Sequence, residues 1–403
     1  MPKKRIALIT TWFPPNNGVA VNRMNAFVNY LSNDFDITVF TEGKSEEIKK
    51  NDWGEVYYST IPSFFSKIKH TSTDLKWLHH IKTIFNILIH HLRISSYKKW
   101  KFKTIEKFLK VHQDKPFDLV LSSFSPIEPH EVALAVKKKF PNLVWIADMR
   151  DGMSNNPYNT EKARQLLAEK EQEMKTYVDG ITTVSQPILD DFIRVFTQTK
   201  SFEEIRNGYD HSLSPNKKFN EIFTIVYAGT FYGKDKPDNF LKALLNLKEN
   251  KSIAPNFLIR FVGANHNFWI PSELNENIEF IPKVPQMEAI EYMANADCNL
   301  LIRVPVPAKG MFSGKLFDYL SVEKPIIAMV DKEDVAAELI RENSAGFVVD
   351  CFDESEIEKA ILAVFELWKN KEFLPIDSSK TIQLHRKFQV EKLSKMIFKL
   401  LEE

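Results

Sequence analysis

One local pattern occurs twice in this chain and narrows its fold more than any other feature. RIALIT (5–10), a short apolar run, leads into the loop PPNNG, then into Met24, Phe27, Val28 and Leu31 at helical spacing, then into a second apolar run, DITVFTE (36–42). From residue 223 the order starts again: FTIVYA, a short loop with Gly229 and Gly233, the helical stretch around FLKALLNL, and FLIRFVG (257–263). Strand, loop, amphipathic helix, strand is the unit of a parallel sheet, because parallel neighbours need a crossover. Further buried strands are expected at FDLVLSSFSP (117–126), LVWIADMRD (143–151) and GITTVS (180–185) in the first half. IEFIPKVP (278–285), DCNLLIRV (297–304), KPIIAMV (324–330) and GFVVD (346–350) supply them in the second. Two such sets in 403 residues predict two α/β domains. The expected division is 1–188 and 189–384, with a helical insertion at 62–112 and an amphipathic helix closing the chain at 385–403.

Parallel sheets place their chemistry at the carboxyl ends of strands, so site motifs are expected at those ends. In SGKLFDYLSVEKPIIA (313–328), Leu316, Phe317, Tyr319 and Leu320 would bury one helix face, yet Asp318 sits among them. Ser313-Gly314 suits a helix start, where free N–H groups and Lys315 attract phosphate. An acid one turn on can bind vicinal hydroxyls, so the stretch reads either as a nucleotide site or as an ordinary surface helix. YAGTFYGKDKP (227–237) reads as a plain turn, or as a loop bringing backbone N–H groups, Lys234 and Lys236 to a diphosphate. It is neither G-x-G-x-x-G nor a P-loop, which excludes ordinary dinucleotide and NTPase sites. His130 starts a helix after the strand at 117–123, level with Arg150 and Asp151; it reads either as a structural histidine or as one of three residues lining a polar crevice.

The composition removes several classes. Lysine and arginine total 54 against 53 acids, which argues against a generic nucleic-acid binder. Cys298 and Cys351 have no metal or redox spacing, no metal site is expected, and a reducing compartment is the default. With no convincing secretory signal and no run near the length of a membrane span, the chain is expected to be cytoplasmic. From Lys67 to Lys110 eleven basic residues face only Asp74 and Glu106, interleaved with aromatics and with His79, His80, His90 and His91. This segment is either a solvated insertion over a core or a basic surface for an anionic membrane or lipid-linked substrate.

In this order the motifs resemble the group 1 (family 4) retaining glycosyltransferases of the GT-B fold. The similarity is most specific at Lys315-Leu316-Phe317-Asp318-Tyr319-Leu320 followed by Lys324-Pro325-Ile326-Ile327. FPPNNG, SSFSPIEPH, ADMRD, TTVSQPILDDF, IRNGYD, VYAGTFY and ANADCNLLI are similar to further family segments. The resemblance implies two Rossmann-like domains facing a central cleft, with the last helix crossing back to the first domain. It implies an acceptor in the N-terminal half and a nucleotide-sugar donor in the C-terminal half, with no cofactor. The acceptor would be a glycan or a lipid-linked molecule of a bacterial surface polysaccharide. His130, Arg150, Asp151 and Lys315 are the implied catalytic set. Asn17 and Gly18 fall in the N-terminal glycine loop, Asp318 on the ribose acid, and Val284 beside the base. Gly229, Thr230, Lys234, Lys236, Arg303 and residues Gly310, Met311, Phe312, Ser313 and Gly314 fall around the diphosphate. Four departures are visible: Asp318 is a methylene shorter than the family's Glu, Gly310 stands where a second acid is common, Asn17-Gly18 stands where two glycines are common, and Thr230 stands where an Arg is common. Two alternatives stay open: a sugar-nucleotide epimerase on the same fold, and a non-catalytic carbohydrate or membrane-scaffold protein.

Overall fold

The structure is a computed structural model that describes residues 2–60, 97–213 and 215–402. The chain divides into two compact units, residues 1–205 with 390–403, and residues 206–389.

Among the described residues the first unit is built on eight strands: β1 (Lys4–Ile9), β2 (Phe35–Gly43), β3 (Glu47–Asn51), β4 (Gly54–Thr60), β5 (Leu119–Phe124), β6 (Val144–Met149), β7 (Gly180–Thr183) and β8 (Ser201–Glu204). Their order is β3-β4-β2-β1-β5-β6-β7-β8, parallel throughout except for the antiparallel β3–β4 edge. Helices cover both faces, so β1 and β5 are buried on both sides and read as largely apolar runs, with Ser122 and Ser123 toward the carboxyl end of β5. The strand order reverses between β1 and β5, which makes their carboxyl ends the natural ligand crevice.

The second unit has β9 (Phe223–Ala228), β10 (Phe257–Val262), β11 (Ile278–Ile281), β12 (Cys298–Ile302), β13 (Ile326–Met329) and β14 (Gly346–Val349), all parallel. Their order, β11-β10-β9-β12-β13-β14, is the doubly wound arrangement with its switch between β9 and β12. Both units are therefore Rossmann-like, as the paired strand patterns predict.

Two boundaries move. The expected first boundary falls inside the helix Gln186–Val195, and β8 then pairs with β7, so the first unit runs on to Ile205. SFEE is half-buried along its length and has no apolar run to reveal a strand. At the other end the crossing lies at 389/390, within the helix Arg386–Glu402. From Val390 onward that helix packs in the first unit, through Leu393, Met396, Ile397 and Leu400. Gly180 permits the close approach, since a Cβ there would stand 2.6 Å from the Met396 Cε.

Of the basic insertion, residues 61–96, with the four histidines, lie outside the described residues. Residues 97–114 are helical, and Trp100 and Phe108 of this helix are fully buried in the core beside Phe40. Lys101 pairs with Glu131 at 2.9 Å, and Glu46 takes Lys103 at 2.8 Å and Lys107 at 2.6 Å. In this part the insertion covers a core, and three of its lysines are spent on ion pairs; Lys98, Lys99 and Phe102 remain exposed. Among the described residues no helix is long and apolar enough to cross a membrane.

Candidate active site

At the end of β9 the chain turns sharply. Gly229 has φ of 102°, where a side chain is strained, and donates its N–H to the Val262 carbonyl at 2.8 Å. A Cβ on Gly229 would lie 3.5 Å from both Cε and Nζ of Lys315, so the bare backbone leaves room beside that ammonium. The Lys315 Nζ donates to the Tyr227 hydroxyl at 2.6 Å and sits 3.9 Å from the centre of the Tyr227 ring. The same hydroxyl donates to the Thr230 carbonyl at 3.3 Å. Asp235, an acid whose charge acts on Lys315, accepts the Val304 N–H at 2.8 Å. Burial pulls Lys315 down to about 7; Asp235 opposes this and Arg303 adds to it.

The helix Gly314–Ser321 starts at this point. Its N-cap, Ser313, makes no side-chain cap bond, and the first turn carries no acid, so its leading N–H groups are unclaimed by a capping side chain. Leu316, Phe317, Tyr319 and Leu320 are buried, as the spacing predicts, and the Tyr319 hydroxyl accepts the Ala228 N–H at 3.0 Å, which ties the helix to β9. Asp318 is half-buried, three residues after Lys315 and so on the same helix flank. Burial pushes its carboxyl up to about 6, with Arg386 and a hydrogen bond from Gln286 pulling back. Gln286 places the segment after β11, with half-buried Val284, next to this acid.

The remaining expected residues of this unit divide. Arg303, half-buried after β12, is close enough to depress Lys315. Met311 and Phe312 are half-buried, with Phe312 against Phe317 at 5.2 Å. Gly310 has φ of 83°, and its N–H is taken by the Asp334 carboxylate at 2.8 Å, so that group is not available to a ligand. Lys234 and Lys236 are exposed on the turn after β9.

In the first unit, Asn17 and Gly18 are exposed ahead of the helix Val19–Leu31. The same helix carries Arg23, fully buried and paired with Asp148 of β6 at 2.7 Å. Asp148 also accepts from Ser123 and Thr182, each at 2.8 Å, and Arg23 donates to the Ile205 carbonyl at 2.5 Å. Burial alone would raise the Asp148 carboxyl; Arg23 overcomes it and holds the group below its ordinary range. Arg150 stands on this network. Its Nε donates to the Ser123 Oγ at 3.1 Å and to the Phe124 carbonyl at 2.6 Å. Asp151 beside it is half-buried and raised by burial.

His130 departs from its expected role. It is fully buried. The Trp145 indole N–H donates to Ser122 Oγ at 2.7 Å, which leaves the serine proton for His130 Nδ1, also at 2.7 Å. The Nε2 proton then faces the Met149 sulfur at 3.2 Å. Burial pulls this imidazole down to about 3, so it stays neutral, and both nitrogens are occupied by Ser122 and Met149 rather than open to a substrate.

Sequence reasoning missed Tyr227, Arg23, Asp148 and Ser123. Asp148 and Arg23 could have been suspected as charges inside apolar runs, and Tyr227 as a hydroxyl needing a partner in a buried strand.

Residues 222–366 match the profile of the family described as glycosyl transferases group 1. Comparison with curated protein sequences returns no significant match. Among solved structures, sucrose-phosphate synthase from Thermosynechococcus elongatus is similar with a TM-score of 0.67 at 13% identity, over 99% of this chain and 100% of that one. Anabaena HepE, solved with UDP and glucose, is similar with a TM-score of 0.61 at 12% identity, over 98% of this chain and 100% of that one. The lipopolysaccharide outer core galactosyltransferase WaaB, in its apo form, gives 0.60 at 12% identity, over 98% and 99%. The second unit thus matches the group 1 glycosyltransferase profile over most of its length, and the whole chain has the GT-B fold.

Proposed function

We propose that the chain moves a sugar from a nucleotide-diphosphate donor to an acceptor hydroxyl with retention of anomeric configuration. The observation that carries this reading is Lys315, an ammonium held at the switch point of the second sheet, with Asp318 one turn along the same helix flank. In this reading Asp318 accepts the ribose hydroxyls, and Val284 flanks the base. The diphosphate meets Lys315, the first N–H groups of the helix and Arg303. Exposed Lys234 and Lys236 add attraction.

As the bond from the anomeric carbon to the phosphate oxygen breaks, negative charge grows on the leaving diphosphate. Lys315 and the helix N–H groups stabilise that charge without a metal; loss of one such donor typically costs about 3 kcal/mol of barrier. The acceptor oxygen bonds to the anomeric carbon on the face the diphosphate leaves, and its proton passes to the departing phosphate oxygen. Arg150 and Asp151, with the exposed Asn17-Gly18 loop, serve the acceptor side, and neutral His130 braces β5 and β6 through Ser122 and Met149.

The acceptor class follows by analogy with WaaB, a lipopolysaccharide enzyme, and is a glycan or lipid-linked precursor of a bacterial surface polysaccharide. Exposed Lys98, Lys99 and Phe102 support a cytoplasmic protein that meets an anionic membrane surface peripherally. Co-sedimentation with anionic vesicles should fall in Lys98→Ser/Lys99→Ser; unchanged binding removes the membrane part alone.

Titration calorimetry against UDP-, GDP-, ADP- and dTDP-sugars tests the central reading. One donor should bind, and Asp318→Ala and Lys315→Ala should each weaken it about tenfold or more. Unchanged affinity in both variants defeats the assignment, as does an incubation with acceptor extracts that never releases nucleoside diphosphate.

A further inference from the structure

We infer that Tyr227 is a positioning residue for the donor site: its hydroxyl holds the Lys315 ammonium against the Gly229–Thr230 turn without neutralising its charge. The inference rests on Lys315 as a donor contact and adds a residue to it.

The geometry is specific. Tyr227 is buried in β9, and its ring stacks on Phe231 with centroids 4.0 Å apart. Burial pushes its phenol far above its usual range, so the hydroxyl keeps its proton. That proton goes to the Thr230 carbonyl, which turns the oxygen lone pairs toward Lys315. The ammonium gains a hydrogen-bond acceptor and the face of an aromatic ring, both neutral. A carboxylate in that place would pair with Lys315 and weaken its pull on an incoming anion. The charged groups that act on Lys315 are Asp235, whose carboxylate is engaged by the Val304 N–H, and Arg303, which repels it. The hydroxyl also bridges two pieces of chain, the turn after β9 and the helix start at Gly314, so it sets where the charge stands relative to the backbone donors.

Tyr227→Phe keeps the ring and its stacking and removes the oxygen, and its fold is checked by thermal melting. Two measurements read the effect. In protein labelled with [ζ-15N]lysine, the Lys315 signal, assigned by its loss in Lys315→Arg, should titrate at lower pH in Tyr227→Phe than in the parent. Binding of the nucleotide-sugar identified in the panel should weaken about tenfold, with the alkaline limb of its pH profile displaced the same way. A residue that served only packing would leave the titration and the limb where they were. An unmoved Lys315 midpoint overturns the inference, and so does a moved midpoint with unchanged donor affinity. If Tyr227→Phe does not fold, the parent decides: Lys315 Nζ hydrogens that exchange as fast as those of surface lysines below pH 7 overturn it, and slowed exchange supports it. Lys315→Ala binding as tightly as the parent defeats the donor-site reading and this inference together. Lys315→Ala weakened beside an unaffected Tyr227→Phe defeats this inference alone.

Discussion

Raising the pH from 7 to 9 should weaken nucleotide-sugar binding by about fifty-fold. Burial brings Lys315 to about 7 in the free protein, so roughly half of the molecules carry its ammonium at pH 7 and about one in a hundred at pH 9. The diphosphate of an intact nucleotide-sugar is a diester and does not titrate in this range. Asp318, at about 6, is already ionised. If the bound anion keeps the ammonium protonated, the apparent Kd scales with one plus the ratio of neutral to charged lysine. That factor rises from about 2 to about 100, or roughly 2.3 kcal/mol. Calorimetry in buffers of different ionisation enthalpy reads the linked proton directly: about half a proton taken up at pH 7 and about nine-tenths at pH 8. Lys315→Arg, permanently charged, should abolish both the uptake and the slope. A Kd constant from pH 7 to 9, with an observed enthalpy independent of buffer, would refute the reasoning.

Three further outcomes follow from the same groups. Asp318 has a raised carboxyl in the folded state, so its ionisation destabilises the free protein as pH rises through about 6. Asp318→Asn should therefore stabilise the free protein by about 1–3 kcal/mol at pH 8 and by almost nothing at pH 4, while donor affinity falls; denaturant melts at the two pH values test it. Asp148→Ala strands the buried Arg23 guanidinium and should cost about 3–5 kcal/mol of first-unit stability, seen as a lowered urea midpoint; a loss under 1 kcal/mol contradicts the buried-pair reading. His130→Gln should change the melting temperature but leave the shape of the pH–activity profile between 5 and 9 intact, because the native imidazole is neutral throughout. A limb near pH 6–7 that disappears in the variant would restore an acid–base role.

The doubly wound sheets were legible because strands buried on both faces are mostly apolar along their length, and the helices between them keep their spacing. β3, β4 and β8 were not. EIKKN is exposed at every position, GEVYYST mixes buried and half-buried positions without strict alternation, and SFEE is half-buried throughout, so none carries a period to read. Missing β8 is what drew the first boundary into a helix. The start of the helix at 314–321 was legible to within a residue, since Ser-Gly ahead of a four-residue apolar face marks a start that no tertiary contact has to specify.

The chain's own order of residues determined the two-sheet architecture, the carboxyl-end location of the candidate site, and the pairing of Lys315 with Asp318 on one helix flank, because each depends on spacing along the backbone. Tertiary structure alone decided which polar groups are open and which are spent. His130 looks like an open imidazole until Ser122, Trp145 and Met149 close around it. Gly310 looks like a free backbone donor until Asp334, 24 residues on, takes its N–H. Tyr227 looks like core until Lys315, 88 residues away, reaches its hydroxyl. Burial and partnership set both the charge and the availability of a polar group, and both come from residues distant in the chain.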